Sequence, residues 1–222
     1  MSKIYRFLDQ RLNLTPLLKE LADHPVPDHA NPLKRRMALI YCFGGISFLI
    51  IALQILTGMF LMFYYVPAPD HAYASVMYIK KEVLFGGFVQ NLHRIGASAV
   101  VVMVFLHMLR VYFTKAYKNP RELNWVVGVC LLFVVVGFGF TGYLLPWDQR
   151  AYWATTVGLN IVETIPWAGG FLADALRAGS EVGMLTLVRF FVIHVMVLPA
   201  ILVLLLFAHF FMVRRQGISH PL

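Results

Sequence analysis

The strongest constraint on this chain is a set of four long apolar runs separated by polar connections. They extend from about Ala38 to Tyr64, Ile95 to Tyr112, Trp125 to Leu145 and Arg189 to Val213. A membrane-crossing helix needs about 20 mostly apolar residues. Unpaired backbone groups cannot be left in hydrocarbon, so the runs read as helices and not as open strands. Composition agrees: 59% of residues are hydrophobic and 14% charged, against about 45–50% and ~25% in soluble domains. Two cysteines in 222 residues exclude a disulfide scaffold. The net charge of +8 comes from basic residues clustered between the apolar runs, a pattern of membrane topology and not of nucleic-acid binding. The expected fold is all-α, an integral membrane four-helix bundle with additional surface helices.

Residues 1–37 read as an N-terminal surface segment, 38–213 as the four-helix domain, and 214–222 as a tail. The first segment lacks the shape of a signal peptide, and Leu8–Leu21 suits a short amphipathic helix at the interface. Counting Arg110 at the end of span two and Arg189 at the start of span four with their adjoining connections, thirteen Lys and Arg fall before span one, between spans two and three, and after span four; six fall on the other side. The positive-inside rule then puts both termini on the inner side, here called the n side, opposite the p side. The 146–188 connection is long for a simple loop. Its Trp147, Trp153 and Trp167 suit a membrane interface, and Ile161–Leu176 suits a helix lying on the surface.

Eight histidines are present. His24, His29, His71 and His220 lie in polar connections and read as solvated. The others lie in spans, His93 and His107 on span two, 14 apart, and His194 and His209 on span four, 15 apart. Ionisable residues within a membrane are costly and mark function. At about 100° per residue, each pair ends within roughly 40–60° of one helix face, with its members about 21 Å apart along the axis. Spans two and four run in the same direction, so His93 lies level with His194 on the p side, and His107 with His209 on the n side. Facing imidazoles at two depths suit two bis-histidine haems, histidine being a common axial ligand of haem iron. Zinc fits less well, since no nearby Cys or carboxylate has metal-site spacing.

Glycines repeat the interval. Gly44 and Gly58 on span one are 14 apart, as are Gly128 and Gly142 on span three. Small residues admit a neighbour close to the backbone. Gly58 and Gly142 fall at the p-side level, Gly44 and Gly128 at the n-side level. Hydrogen bonding between helices is the structural alternative for a single intramembrane histidine.

With these residues in place, the sequence resembles cytochrome b6, the four-helix N-terminal half of the split cytochrome b of b6f-type quinol oxidoreductases. Carrying the resemblance are the four span histidines, Tyr41-Cys42-Phe43-Gly44-Gly45, Pro120-Arg121-Glu122-Leu123, Gly142-Tyr143-Leu144-Leu145-Pro146-Trp147-Asp148-Gln149 and Arg214-Arg215-Gln216-Gly217-Ile218-Ser219. The resemblance covers nearly the whole chain. It implies a subunit that carries electrons from a p-side quinol oxidation site, through two b haems, to an n-side quinone reduction site, and so contributes to proton translocation. It also implies a single thioether from Cys42 to an extra c-type haem beside the n-side haem. The expected partners are a second half of cytochrome b resembling subunit IV, a Rieske iron–sulfur protein, a c-type cytochrome, quinol and lipid, in a dimeric complex. The Pro-Glu-Trp-Tyr quinol-oxidation run of the family does not occur in this chain, so the chain is not active alone. The membrane would be that of a bacterial cell, in respiration, or a thylakoid, in photosynthesis. Extra residues around Pro32–Ala38 favour a bacterial, menaquinone-using branch.

Arginines near haem would neutralise propionates. Arg110 and Arg214 suit the n side, Arg94 and Arg189 the p side; interfacial anchoring is the alternative for each. The family usually has an arginine three residues before the first histidine, where this chain has Gln90, and Arg94 is the candidate replacement. Glu20 and Arg214 are candidates for proton uptake at the n-side quinone pocket. Two other classes fit the intramembrane histidines: a transporter or proton channel, and a haem-bearing anchor of another dehydrogenase.

Overall fold

The computed structural model describes residues 42–217. Leu8–Leu21, Glu20 and the end of the C-terminal tail lie outside the described residues. Eight α-helices follow in order: α1 (Phe43–Met62), α2 (Ala72–Lys81), α3 (Gly86–Phe113), α4 (Glu122–Leu144), α5 (Gln149–Glu163), α6 (Gly169–Arg177), α7 (Met184–Val192) and α8 (Leu198–Gln216). A π-helical turn, Ile193–Val197, joins α7 to α8 into one rod. Among the described residues there is no strand, and four helices are long and apolar enough to cross a membrane: α1, α3, α4 and the α7–α8 rod. Their outer faces carry exposed Leu, Phe, Val and Ile side chains, as lipid contact demands.

Two spanning helices begin earlier than the apolar runs do. Helix α3 starts at Gly86 and the α7–α8 rod at Met184. The first turns of α3 carry Gln90, Asn91, His93 and Arg94, which dilute the apolar signal without weakening the helix. Helix α2 has no apolar run to announce it. The expected surface helix is two helices, α5 and α6, parted at Pro166-Trp167, where Trp167 takes a positive φ of 74°. Proline favours an extended residue before it and cannot continue a helix ladder.

Asp148 caps α5, accepting a hydrogen bond from the Ala151 N–H at 2.8 Å. Below that corner, Ala72, Leu144, Leu159, Val182, Leu187 and Phe190 form one buried cluster. It seats α2 and α5 on one end of the bundle. At the opposite end the Arg121 guanidinium donates to the Gln216 carbonyl at 3.3 Å. The Gln216 side-chain amide donates in return to the Pro120 carbonyl at 2.8 Å. Two of the runs that carry the family resemblance are thus one interhelical tie.

Candidate functional site

The π turn explains the unequal histidine spacing. Pro199, the second residue of α8, has no N–H to donate to the carbonyl four residues back, and its ring crowds that carbonyl. The helix widens just ahead of it, and the Leu198 N–H reaches the Ile193 carbonyl five residues back. A single π turn takes up one extra residue. Fifteen residues between His194 and His209 therefore cover the rise and rotation of an α-helix with fourteen. Read as a regular helix, the sequence put His209 about 60° past His194; the π turn takes up the residue behind that offset.

At both levels each histidine meets a glycine. A Cβ on Gly58 would stand 3.3 Å from the His93 Cε1, and one on Gly142 would stand 2.6 Å from the His194 Cε1. At the other level a Cβ on Gly44 would be 3.0 Å from His107 Cε1, and one on Gly128 3.7 Å from His209 Cε1. Helix α1 thus backs both histidines of α3, and α4 backs both histidines of the α7–α8 rod. The glycines let the rings lie back against the neighbouring helix.

Midway between the levels, Ile51, Val100, Leu131, Val135 and Leu202 form a buried apolar layer. Ile51 is seven residues from Gly44 and from Gly58, Val100 seven from each histidine of α3, and Val135 seven from each glycine of α4. Leu202 is seven residues from His209 but eight from His194, and the π turn lies in that longer interval. The two levels are therefore separate compartments with packed hydrocarbon between them.

The His107 and His209 ring centroids are 6.4 Å apart, with planes at 81°. A metal–imidazole bond is about 2.0–2.1 Å, so two imidazoles on opposite sides of one ion have centroids roughly 6 Å apart. His93 and His194 lie close enough to interact electrostatically. Among the described residues no group of three or more His, Cys, Asp and Glu could hold a metal. The donor sets are pairs of imidazoles, which suit an ion whose other positions are filled by a planar ligand such as porphyrin.

Two threonines that the sequence reading passed over complete the His93/His194 level. The Thr57 Oγ1 lies 2.8 Å from the His93 Nδ1, and the Thr141 Oγ1 lies 3.0 Å from the His194 Nδ1. Each hydroxyl donates to the carbonyl four residues back on its own helix, Leu53 and Gly137, both at 2.7 Å. The rings also approach backbone four residues before their glycines: Gln54 for His93 and Phe138 for His194. With each hydroxyl proton directed to its own helix, an imidazole Nδ1–H would find its acceptor in the threonine oxygen, which leaves the Nε2 lone pair for a metal. The available signal was the Thr-Gly pair, present at 57–58 and again at 141–142.

The remaining candidates fall in different places. Arg94 and Arg214 are exposed. Arg189 is exposed too, and its guanidinium donates to the Ala175 carbonyl, tying α7 to α6. Arg110 is half-buried and interacts electrostatically with His107. Gln90 is half-buried, with its side-chain oxygen buried and unbonded among the described residues. Cys42 and Cys130 are both exposed, with Cys42 at the start of α1. At the end carrying α2 and α5, Pro69, Tyr73, Trp147, Asp148, Gln149 and Arg150 line an open cavity of about 560 Å³.

Residues 29–217 match the family model for cytochrome b/b6/petB. The chain is 53% identical to the menaquinol:cytochrome c reductase cytochrome b subunit of Geobacillus thermodenitrificans, over 100% of both chains. It is 45% identical to cytochrome b6 of Heliobacterium modesticaldum, over 97% of this chain and 99% of that one. Among solved structures, a hyperthermophilic respiratory Complex III aligns with a TM-score of 0.85 and 32% identity, over 97% of this chain and 56% of that one. The histidine pairs, their glycine backing, the family-model match and the full-length likeness to the two relatives agree: the chain belongs to the cytochrome b/b6 family.

Proposed function

We propose that this chain is the cytochrome b subunit of a quinol:cytochrome c oxidoreductase, binding two b haems through His93/His194 and His107/His209. The observation that carries the reading is the pairing of imidazoles at two levels, each backed by glycine and separated by a buried apolar layer. When bound, the haems supply one-electron carriers at two depths of the membrane. The chain's residues do the rest. The histidines present Nε2 at fixed orientation, and the glycines clear the space on the far side of each ring. The layer of Ile51, Val100, Leu131, Val135 and Leu202 keeps water and ions from passing between the levels.

The likeness to a menaquinol:cytochrome c reductase supports menaquinol as substrate. The open cavity beside Trp147 and Asp148, at the end of the bundle carrying α2 and α5, is the candidate approach of a p-side quinol. Sidedness rests on the Lys and Arg distribution, with both termini on the n side. Arg110 is the candidate propionate partner at the n-side level; at the p-side level Gln90 holds the position of the family arginine, and only its Nε2 could donate to a propionate. Arg94 and Arg189 are exposed, which favours the anchoring reading for both. Cys42, two residues before Gly44 in the run that resembles the family's, is the candidate for a single thioether to a third, c-type haem. A second half of cytochrome b, a Rieske protein and a c-type cytochrome complete the assembly.

The test is purification of the complex through a tag on this chain. The expected preparation contains extractable b haem, a Rieske iron–sulfur signal and quinol-dependent reduction of cytochrome c. A preparation with b haem but neither a Rieske partner nor quinol oxidation would favour the anchor of another dehydrogenase; one with no haem would favour a transporter or channel.

A further inference from the structure

The two histidine levels are not chemically equivalent. Each glycine behind a histidine is preceded by a residue on the same helix. At the His93/His194 level those residues are Thr57 and Thr141; at the His107/His209 level they are Phe43 and Val127. Both threonines are buried, at 6% and 4% exposure. Both touch the Nδ1 of a histidine on another helix, at 2.8 and 3.0 Å. The contrast is sharpest at His209, whose Nδ1 is buried without a hydrogen bond among the described residues; its polar neighbour is the Asn124 backbone.

We infer that Thr57 and Thr141 are positioning residues that set the reduction potential of the haem at the His93/His194 level alone. The inference rests on the haem-binding reading above. Each hydroxyl spends its single proton on its own helix, so its lone pairs are available to the imidazole N–H. An acceptor at Nδ1–H makes the imidazole a stronger donor at Nε2, and partners of this kind orient the ring as well. A stronger donor stabilises the oxidised, more positive iron and lowers the potential. The β-branched side chain adds stiffness, because its χ1 choices are few. Among the described residues, two such contacts act on one haem level and none of this type on the other. The chain therefore holds the potentials apart with two hydroxyl groups.

The test uses the purified complex carrying Thr57→Val, Thr141→Val, the double variant, and the serine counterparts Thr57→Ser and Thr141→Ser. Valine keeps the shape and removes the acceptor; serine restores the acceptor. Redox titration of the b-haem absorbance gives two potentials. The one belonging to the His93/His194 level is assigned as the signal that survives His107→Ala. Valine at either site is expected to raise that potential by up to about tenfold in the reduction equilibrium, ~59 mV for one electron. The second potential stays in place, and serine returns the first toward the wild-type value. The inference is overturned if both haems are present and neither potential moves, if both move equally, or if serine shifts the potential as far as valine. A wild-type complex lacking two b-type signals would instead overturn the haem reading itself.

Discussion

Gly142 and His194 meet so closely that a methyl group on the glycine would stand 2.6 Å from the imidazole Cε1. The ring cannot retreat, because Thr141 holds its Nδ1 at 3.0 Å and Phe138 packs edge-on with ring centroids 5.3 Å apart. The four glycines form a graded series of such clearances. Substitution by alanine should be worst at Gly142, less severe at Gly44 and Gly58, and mildest at Gly128, where the added carbon would rest at 3.7 Å in ordinary contact. Overpacking of this kind costs about 1–3 kcal/mol. Haem content per complex, measured for the four alanine variants, checks the order. Equal loss at Gly128 and Gly142 would contradict it.

The π turn predicts a tolerated deletion. Removing Met196, an exposed residue inside that turn, shortens the His194–His209 interval to the spacing of α3 and lets the helix regularise. Both b-haem signals are expected to remain. Deleting Val102, an exposed residue in the regular part of α3, has no widened turn to absorb it. It rotates His107 by about 100° relative to His93, and one haem signal should be lost. Retention of both after the Val102 deletion would argue against the fixed register.

Cys42 predicts a covalent haem. A haem-stained denaturing gel of the wild-type chain is expected to show a band that survives acid–acetone extraction. Cys42→Ser should abolish the band and leave the two extractable haems in place. A wild-type chain that never stains would remove the third haem from the account.

Tyr65 predicts a stability effect at the end of the bundle carrying α5. Its hydroxyl donates to the Leu145 carbonyl at 2.7 Å, just before the Pro146-Trp147 corner. Burial pushes the phenol pKa up, so the group stays a protonated donor across the working pH range. Tyr65→Phe leaves that carbonyl without its donor, a loss of about 1–3 kcal/mol. The expected result is a lower thermal midpoint of the complex with unchanged haem spectra.

What was legible in the sequence follows from the solvent. Hydrocarbon imposes long apolar helices, so the end of α1 and both ends of α4 fall within a few residues of the ends of their runs. The start of α3 was hidden, because Gln90, Asn91, His93 and Arg94 interrupt the apolar pattern in its first turns. The level of each histidine was legible from its spacing to its partner and to the glycines. The threonines were not: Thr57 and Thr141 look like ordinary helix residues bonded to their own backbone until the fold brings a histidine from another helix against each. The π turn was equally hidden. The extra residue between His194 and His209 showed as a count, and only the widened backbone ahead of Pro199 gave it a physical meaning. For Arg189 the sequence leaves propionate pairing and anchoring equally open; the reach of its side chain back to the Ala175 carbonyl is visible only in the fold.

The binding of two haems by four imidazoles at separate levels has a direct spectroscopic consequence. It is tested most directly by reduced-minus-oxidised spectra and redox titration of the purified complex, in wild type and in His209→Ala. The account predicts two one-electron b-type components in wild type and one in the variant, with the surviving component at its original potential. Loss of both components together, or survival of both, would contradict it.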